Sequence, residues 1–197
     1  MDLDLLVGSG GVLSHAPRRE QSAKMLIDAF MPEGITQLAV DSIFMMPQLG
    51  VLAHVDKEDF AEDARKAALE VFHKDCLIRL GTCLAPIGRS KPGEIVLTAT
   101  LTLSDGSVKE QELKYGQILR LELPYEPINA ILKPSKTMDI GAGNGQEIRT
   151  DVFGGTVGLI FDGRDRPITI PGDQDKRIES LRSWSKALNE YPDNSLK

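Results

Sequence analysis

Leu5-Leu6-Val7-Gly8-Ser9-Gly10-Gly11-Val12-Leu13-Ser14-His15-Ala16-Pro17 decides how this chain is read. An apolar run enters three glycines and leaves through Ser14 and Pro17 into a helical pattern. That order is strand, nearly bare turn, helix start. Glycines let a ligand approach the backbone closely, and amides at a helix start favour anions. Gly8, Ser9, Gly10 and Gly11 are therefore the candidate cofactor-binding residues, for contact with a nucleotide. The alternative is a plain tight turn with nothing above it.

Working outward, the 197 residues suffice for one large domain or two small ones with a real core. The 29 acidic and 23 basic residues leave a net charge of −6. That balance argues against the basic face a nucleic-acid partner needs. No apolar run reaches the length of a membrane span. Asp2 and Asp4 stand where a secretion signal carries positive charge, so the cytoplasm is the expected location. Cys76 and Cys83 are seven apart, and His15, His54 and His73 are scattered. Neither set forms a redox pair or a metal cluster, so no metal site is expected.

The sequence predicts an α+β chain in two parts. Residues 1–73 form an α/β segment. Leu3 to Val7 is its first strand, about Pro17 to Phe30 its first long helix, and Thr36 to Val40 its second strand. Ala23, Leu26, Ile27 and Phe30 give the helix a buried face. Arg18 and Arg19 read as a solvated face, with phosphate or partner contact as the alternative. The apolar run Ile43 to Leu52 reads as core, with an adaptable partner surface as the alternative. Asp56 is the expected cap of a helix carrying Phe60, Ala64, Ala67, Ala68 and Val71 on one face. Two short strands make a thin sheet, since parallel strands want several neighbours. The expectation is that this chain is the C-terminal piece of a longer protein.

From Cys76 the pattern changes to period two. Residues 74–171 are expected to form a β-rich domain, a sandwich or open barrel. Ile95 to Leu103 and Val108 to Leu113 make a hairpin across Asp105-Gly106. Leu119 to Leu123, Asn129 to Leu132, Glu147 to Gly155 and Val157 to Phe161 add strands. Asp162-Gly163-Arg164-Asp165-Arg166-Pro167 reads as a solvated hairpin tip, with anion binding by its two arginines as the alternative. A helix occupies 172–191, capped by Asp173 and bearing Ile178, Leu181, Trp184 and Leu188 on one face, and 192–197 is a tail. Asp139-Ile140-Gly141-Ala142-Gly143-Asn144-Gly145 looks like the glycine loop of S-adenosylmethionine-dependent methyltransferases. The residues after it read as a strand rather than the helix such a loop requires, so a β-connection is the better reading. Asp41 and Asp139 are candidates for metal or water contact only by their places at strand ends. No nucleophile and base fall into a recognisable pair, so no catalytic residue is assigned.

Several stretches together resemble one family. They are Val7 to Arg19, Met25 to Phe30, Pro32-Glu33-Gly34, Leu38 to Ser42, Asp139 to Gly143 and Gly154 to Asp162. Together they resemble the C-terminal part of the GlmL (MutL) family, named for its association with glutamate mutase and unrelated to the mismatch-repair protein. The resemblance implies an actin-like ATPase fold in a full-length parent. Gly8, Ser9, Gly10 and Gly11 would then contact the adenosine of ATP or ADP, with Mg supplied in the parent. It implies a reactivating chaperone for an adenosylcobalamin-dependent mutase, whose subunits would be the partners, and an oligomeric assembly. The first phosphate loop and metal-positioning acid of that fold would lie in an N-terminal half outside this sequence. Little ATPase activity is therefore expected of this chain alone. Asp165 stands where the family's turn would carry glycine. The alternatives are a methyltransferase using residues 139–145 and a non-catalytic partner-binding β-domain.

Overall fold

A computed structural model describes residues 3–54 and 61–191. The chain is mixed α/β, with two principal sheets and a C-terminal helix. Its first part comprises strand β1 (Leu5–Gly8), the single turn α1 (Gly11–Ser14), helix α2 (Arg19–Phe30) and strand β2 (Gly34–Asp41). Helices α3 (Met46–Leu52) and α4 (Ala61–Val71) follow, and a π-helical turn Phe72–Cys76 leads into β3 (Leu77–Ala85). Then come β4 (Ile87–Gly88), β5 (Ile95–Thr102), β6 (Val108–Lys114), β7 (Ile118–Leu121) and β8 (Pro127–Pro134). The chain continues through β9 (Met138–Asp139), β10 (Ile148–Phe153), β11 (Leu159–Asp162) and α5 (Gln174–Ala187). Among the described residues no helix is long and apolar enough to cross a membrane.

The first sheet has the order β1-β2-β3-β11-β7. β1 runs parallel to β2 and β11 parallel to β3, while the β2/β3 and β11/β7 pairs are antiparallel. Its strands thus come from both sides of residue 74. The two strands that look thin in sequence gain three neighbours from the later chain. β3 pairs with β2 from Gly34↔Ala85 to Asp41↔Leu77, although the π-helical turn lies between β3 and the first part. Nothing local in the sequence announces such a long-range pairing, because the contact partners are dozens of residues apart.

The second sheet, β10-β8-β5-β6, is antiparallel throughout and packs on one face of the first. The expected hairpin forms as β5 and β6. β5 turns Leu97, Ala99 and Leu101 into the core between the sheets, where Leu84, Leu159 and Phe161 meet them. Thr98, Thr100 and Thr102 take the more exposed face. On the other face of the first sheet, Ala23, Leu26 and Ile27 of α2 and Trp184 and Leu188 at the end of α5 cover Leu38, Val40, Leu80 and Ile160. The result is three layers, helices over a five-stranded sheet over a four-stranded sheet, and each apolar face is buried against another.

Several local expectations change. Pro17 precedes the helix instead of opening it. Arg18 takes an extended conformation as the cap residue, and its N–H donates to Gln21 Oε1 at 3.3 Å. Ser22 Oγ donates to the Leu13 carbonyl and Arg19 Nη1 to the Ser14 carbonyl, tying α1 to α2. Phe30, Ile178 and Leu181 are exposed rather than buried, since only the middle of α2 and the end of α5 reach the sheet. In α4, Ala68 is buried while Val71 is exposed. Asp56 and Phe60 lie outside the described residues. Asp173 caps α5 as expected, its Oδ1 accepting the Lys176 N–H at 3.0 Å.

Two corrections are larger. Ile43 to Leu52 is mostly not core: Ile43, Phe44, Met46, Val51 and Leu52 are exposed, while Leu49 joins a small cluster with Ala68 and Cys76 and half-buried Met45 packs against it. The loop from Asp162 to Pro167 is not a solvated tip either. Asp162 is fully buried, and Arg164 grips it through two bonds, Nε–Oδ1 at 2.8 Å and Nη2–Oδ2 at 2.9 Å. Arg166 adds a third contact at 2.9 Å, Arg164 also pairs with Asp28 at 2.9 Å, and its guanidinium lies 5.0 Å from the Trp184 ring centre. A bare composition of Asp, Gly and Arg suggests solvent. Here the two guanidiniums neutralise the acid and allow it inside.

Candidate functional site

β1 and β2 run in parallel and end side by side at Gly8 and Asp41. Loops beyond the carboxyl ends of parallel strands are where open sheets place ligands. The four residues of the turn do different work. Gly8 is buried, and a Cβ there would lie 2.9 Å from Leu13 Cδ1 and 3.0 Å from Leu26 Cδ2. Its missing side chain lets α1 and α2 pack onto the strand. Gly10 has φ 103° and ψ 156°, a conformation closed to other residues, yet a Cβ on it would meet nothing within 4 Å. The space beside Gly11 is equally open. Among the described residues, the N–H groups of Gly11 and Val12 donate to no protein acceptor. The turn thus presents bare backbone and free donors to solvent at the start of α1.

Asp41 holds this turn from below. Its side chain is fully buried and has no cationic partner among the described residues. Oδ1 accepts the Met45 N–H at 3.2 Å, and Oδ2 accepts the Met46 N–H at 3.0 Å and the Ser9 hydroxyl at 3.4 Å. Its backbone carbonyl accepts the hydroxyl of Ser14, itself buried. One residue therefore joins the glycine turn, the end of α1 and the start of α3. Amide donors supply the charge-assisted bonds that a buried carboxylate needs. An acid closing an apolar strand is the signal for Asp41 in the sequence. Its three-way role is invisible there, because Ser9 and Met46 come from opposite directions along the chain.

The glycine loop at 139–145 is built otherwise. Asp139 Oδ1 accepts the N–H groups of Gly141 at 2.7 Å and Gly143 at 2.9 Å, closing the loop on itself. β9 pairs with the two-residue β4, and the chain proceeds into strand β10. The helix that a methyltransferase loop requires is replaced by a strand. Cys83 is buried in the helix-side core, and burial, reinforced by nearby Asp162, pushes its thiol up to about 12. It behaves as a small apolar residue. Among the described residues no group of three His, Cys, Asp or Glu is placed to hold a metal ion.

Comparison with known proteins adds one finding. Residues 1–75 match the family described as MutL protein. No curated protein and no solved structure matches the chain.

Proposed function

From the match of its first 75 residues to the MutL family, we propose that this chain supplies one wall of a split nucleotide site. The whole protein would be an actin-like, ATP-dependent reactivating factor for an adenosylcobalamin-dependent mutase. The observation that carries the reading is the open backbone at Gly10 and Gly11. A turn whose conformation demands glycine, with nothing within 4 Å above it, fits close approach by a flat ligand. The residues present suit the adenosine side: bare backbone at Gly10 and Gly11, free amides at Gly11 and Val12, and the Ser9 hydroxyl anchored by Asp41. ATP, once bound, would supply the free energy of hydrolysis, and the remaining phosphate and Mg contacts would come from the other half of the parent.

Asp41 gives occupancy a route outward. A ligand that pulls on Ser9 works against the same carboxylate that holds the start of α3. The exposed apolar residues around α3 then change position relative to the turn, as expected of a surface that grips and releases a client. Exposed Phe44, Met46 and Val51 suit such contact.

Titration of a fluorescent ADP analogue against this chain and against a longer polypeptide carrying the other half tests the reading. The expectation is weak binding by the chain and at least about a hundredfold tighter binding by the whole. Gly10→Val should abolish binding in the whole. Tight, saturable binding by the chain alone, or an indifferent Gly10→Val variant, would overturn it.

A further inference from the structure

Five strands face four across the sandwich, and the mismatch leaves a strand edge open over a cleft. That edge is β10. In an antiparallel ladder, alternate residues turn both backbone groups toward the partner strand. Phe153 fixes the alternation. Its partner Pro127 has no N–H to give, and Phe153 instead donates its own N–H to Thr82 Oγ1 at 3.0 Å and accepts from the same hydroxyl at 2.9 Å. Ile148, Thr150 and Val152 therefore bond to β8, while Arg149, Asp151 and Phe153 turn outward. The Thr82 side chain does for Phe153 what a residue of a neighbouring strand would do. It serves that one rung only. Among the described residues, the N–H groups of Arg149 and Asp151 have no protein acceptor, and the Asp151 carbonyl receives just the Thr150 hydroxyl at 3.5 Å.

Beside these two rungs lies a cleft of about 330 Å³, bordered by Asp4, Ile35, Gln37, Thr82, Thr150 and Asp151. Its floor is the part of the first sheet that the second sheet does not cover. Leu5, paired with Gln37 and so on the same face of the sheet, is 38% exposed. Among the described residues the cleft's lining includes two acids and no Lys, Arg or His, and Arg149 on the β10 edge beside it is paired with Glu147 at 3.0 Å.

We propose that this cleft accepts an extended, lysine- or arginine-bearing segment of a partner polypeptide, which adds to β10 as a fifth strand of the second sheet. Main-chain bonds at Arg149 and Asp151 supply the affinity common to strand addition, and the side chains of alternate residues supply the selectivity. Apolar residues of the segment cover Leu5 and Ile35, and its basic residues answer Asp4 and Asp151. The surface is independent of the nucleotide turn and stands or falls without it.

Amide hydrogen exchange on the whole chain, read residue by residue, tests the proposal with two synthetic probes, Val-Lys-Val-Lys-Val-Lys-Val and Val-Glu-Val-Glu-Val-Glu-Val. Without peptide, Arg149 and Asp151 exchange fast while Thr150 and Val152 are protected. The lysine peptide slows Arg149 and Asp151 by about tenfold or more, and the glutamate peptide does not. Asp151→Pro removes an outward N–H without touching the β8 ladder and abolishes the effect. Asp151→Lys weakens it, which keeps the test decisive if the proline variant fails to fold. No slowing by the lysine peptide overturns the proposal. So does equal slowing by both peptides, or slowing confined to the other edge strand, β6.

Discussion

Asp41 and Asp162 each close a strand of the same sheet, and each is fully buried. Their partners differ. Asp162 is gripped by two arginines, one of them stacked on Trp184, and ties the loop after β11 to α2 and α5. Asp41 is held by two backbone amides and a distant serine hydroxyl, beneath an open glycine turn. A carboxylate locked by guanidiniums is a staple, because removing either side strands a buried charge. A carboxylate held by amides of one helix and a hydroxyl of one turn can yield as those elements move. The contrast separates the part of the sheet that holds the fold together from the part we assign to a ligand.

Breaking the staple should have the largest effect. Asp162→Asn leaves buried arginine charge uncompensated and should cost about 3–5 kcal/mol of unfolding free energy in urea titrations. Its pH dependence sharpens the point. Burial pushes the Asp162 carboxyl upward, but the bonds and charges of Arg164 and Arg166 outweigh it and hold it below the ordinary value. Stability from Asp162 is thus fully present above the unfolded-state value of about 4 and is lost as pH falls through the lower folded-state value. The gap between wild type and Asp162→Asn should therefore close in strong acid. Next comes Asp41→Asn, which keeps one acceptor oxygen and should cost about 1–3 kcal/mol, with faster amide exchange at Met45 and Met46. Equal costs for the two asparagine variants would erase the distinction. At the turn, Gly10→Ala should cost about 1–3 kcal/mol through backbone strain alone. Gly11→Ala, facing open space, should change thermal stability by less than about 0.5 kcal/mol. A large loss at Gly11 would show that the turn is packed.

How much of this was legible beforehand depends on range. The β5–β6 hairpin and the Asp173 cap rest on local patterns, and both form as the sequence predicts. The bareness of the turn was equally plain, because glycine has no side chain in any fold. Ile43 to Leu52 misled for an instructive reason. Apolar composition says what a residue would gain by burial, and it does not say whether a neighbour arrives to cover it. The Asp162 loop misled in the opposite direction. Its charges look solvated until Asp28, 134 residues earlier, and Trp184, 22 residues later, close around it.

The amino-acid sequence by itself determined the α+β character, the glycine turn after the first strand and the family that its opening 75 residues match. Those follow from periodicity, from turn chemistry and from residues contiguous along the chain. Tertiary structure alone decided that β3, β11 and β7 complete the sheet begun by β1 and β2. It also set Asp41 beneath Ser9 and left the β10 edge open above a cleft. Each of these depends on which distant segments meet, and that is settled by burial and hydrogen bonding summed over the whole fold rather than by local preference.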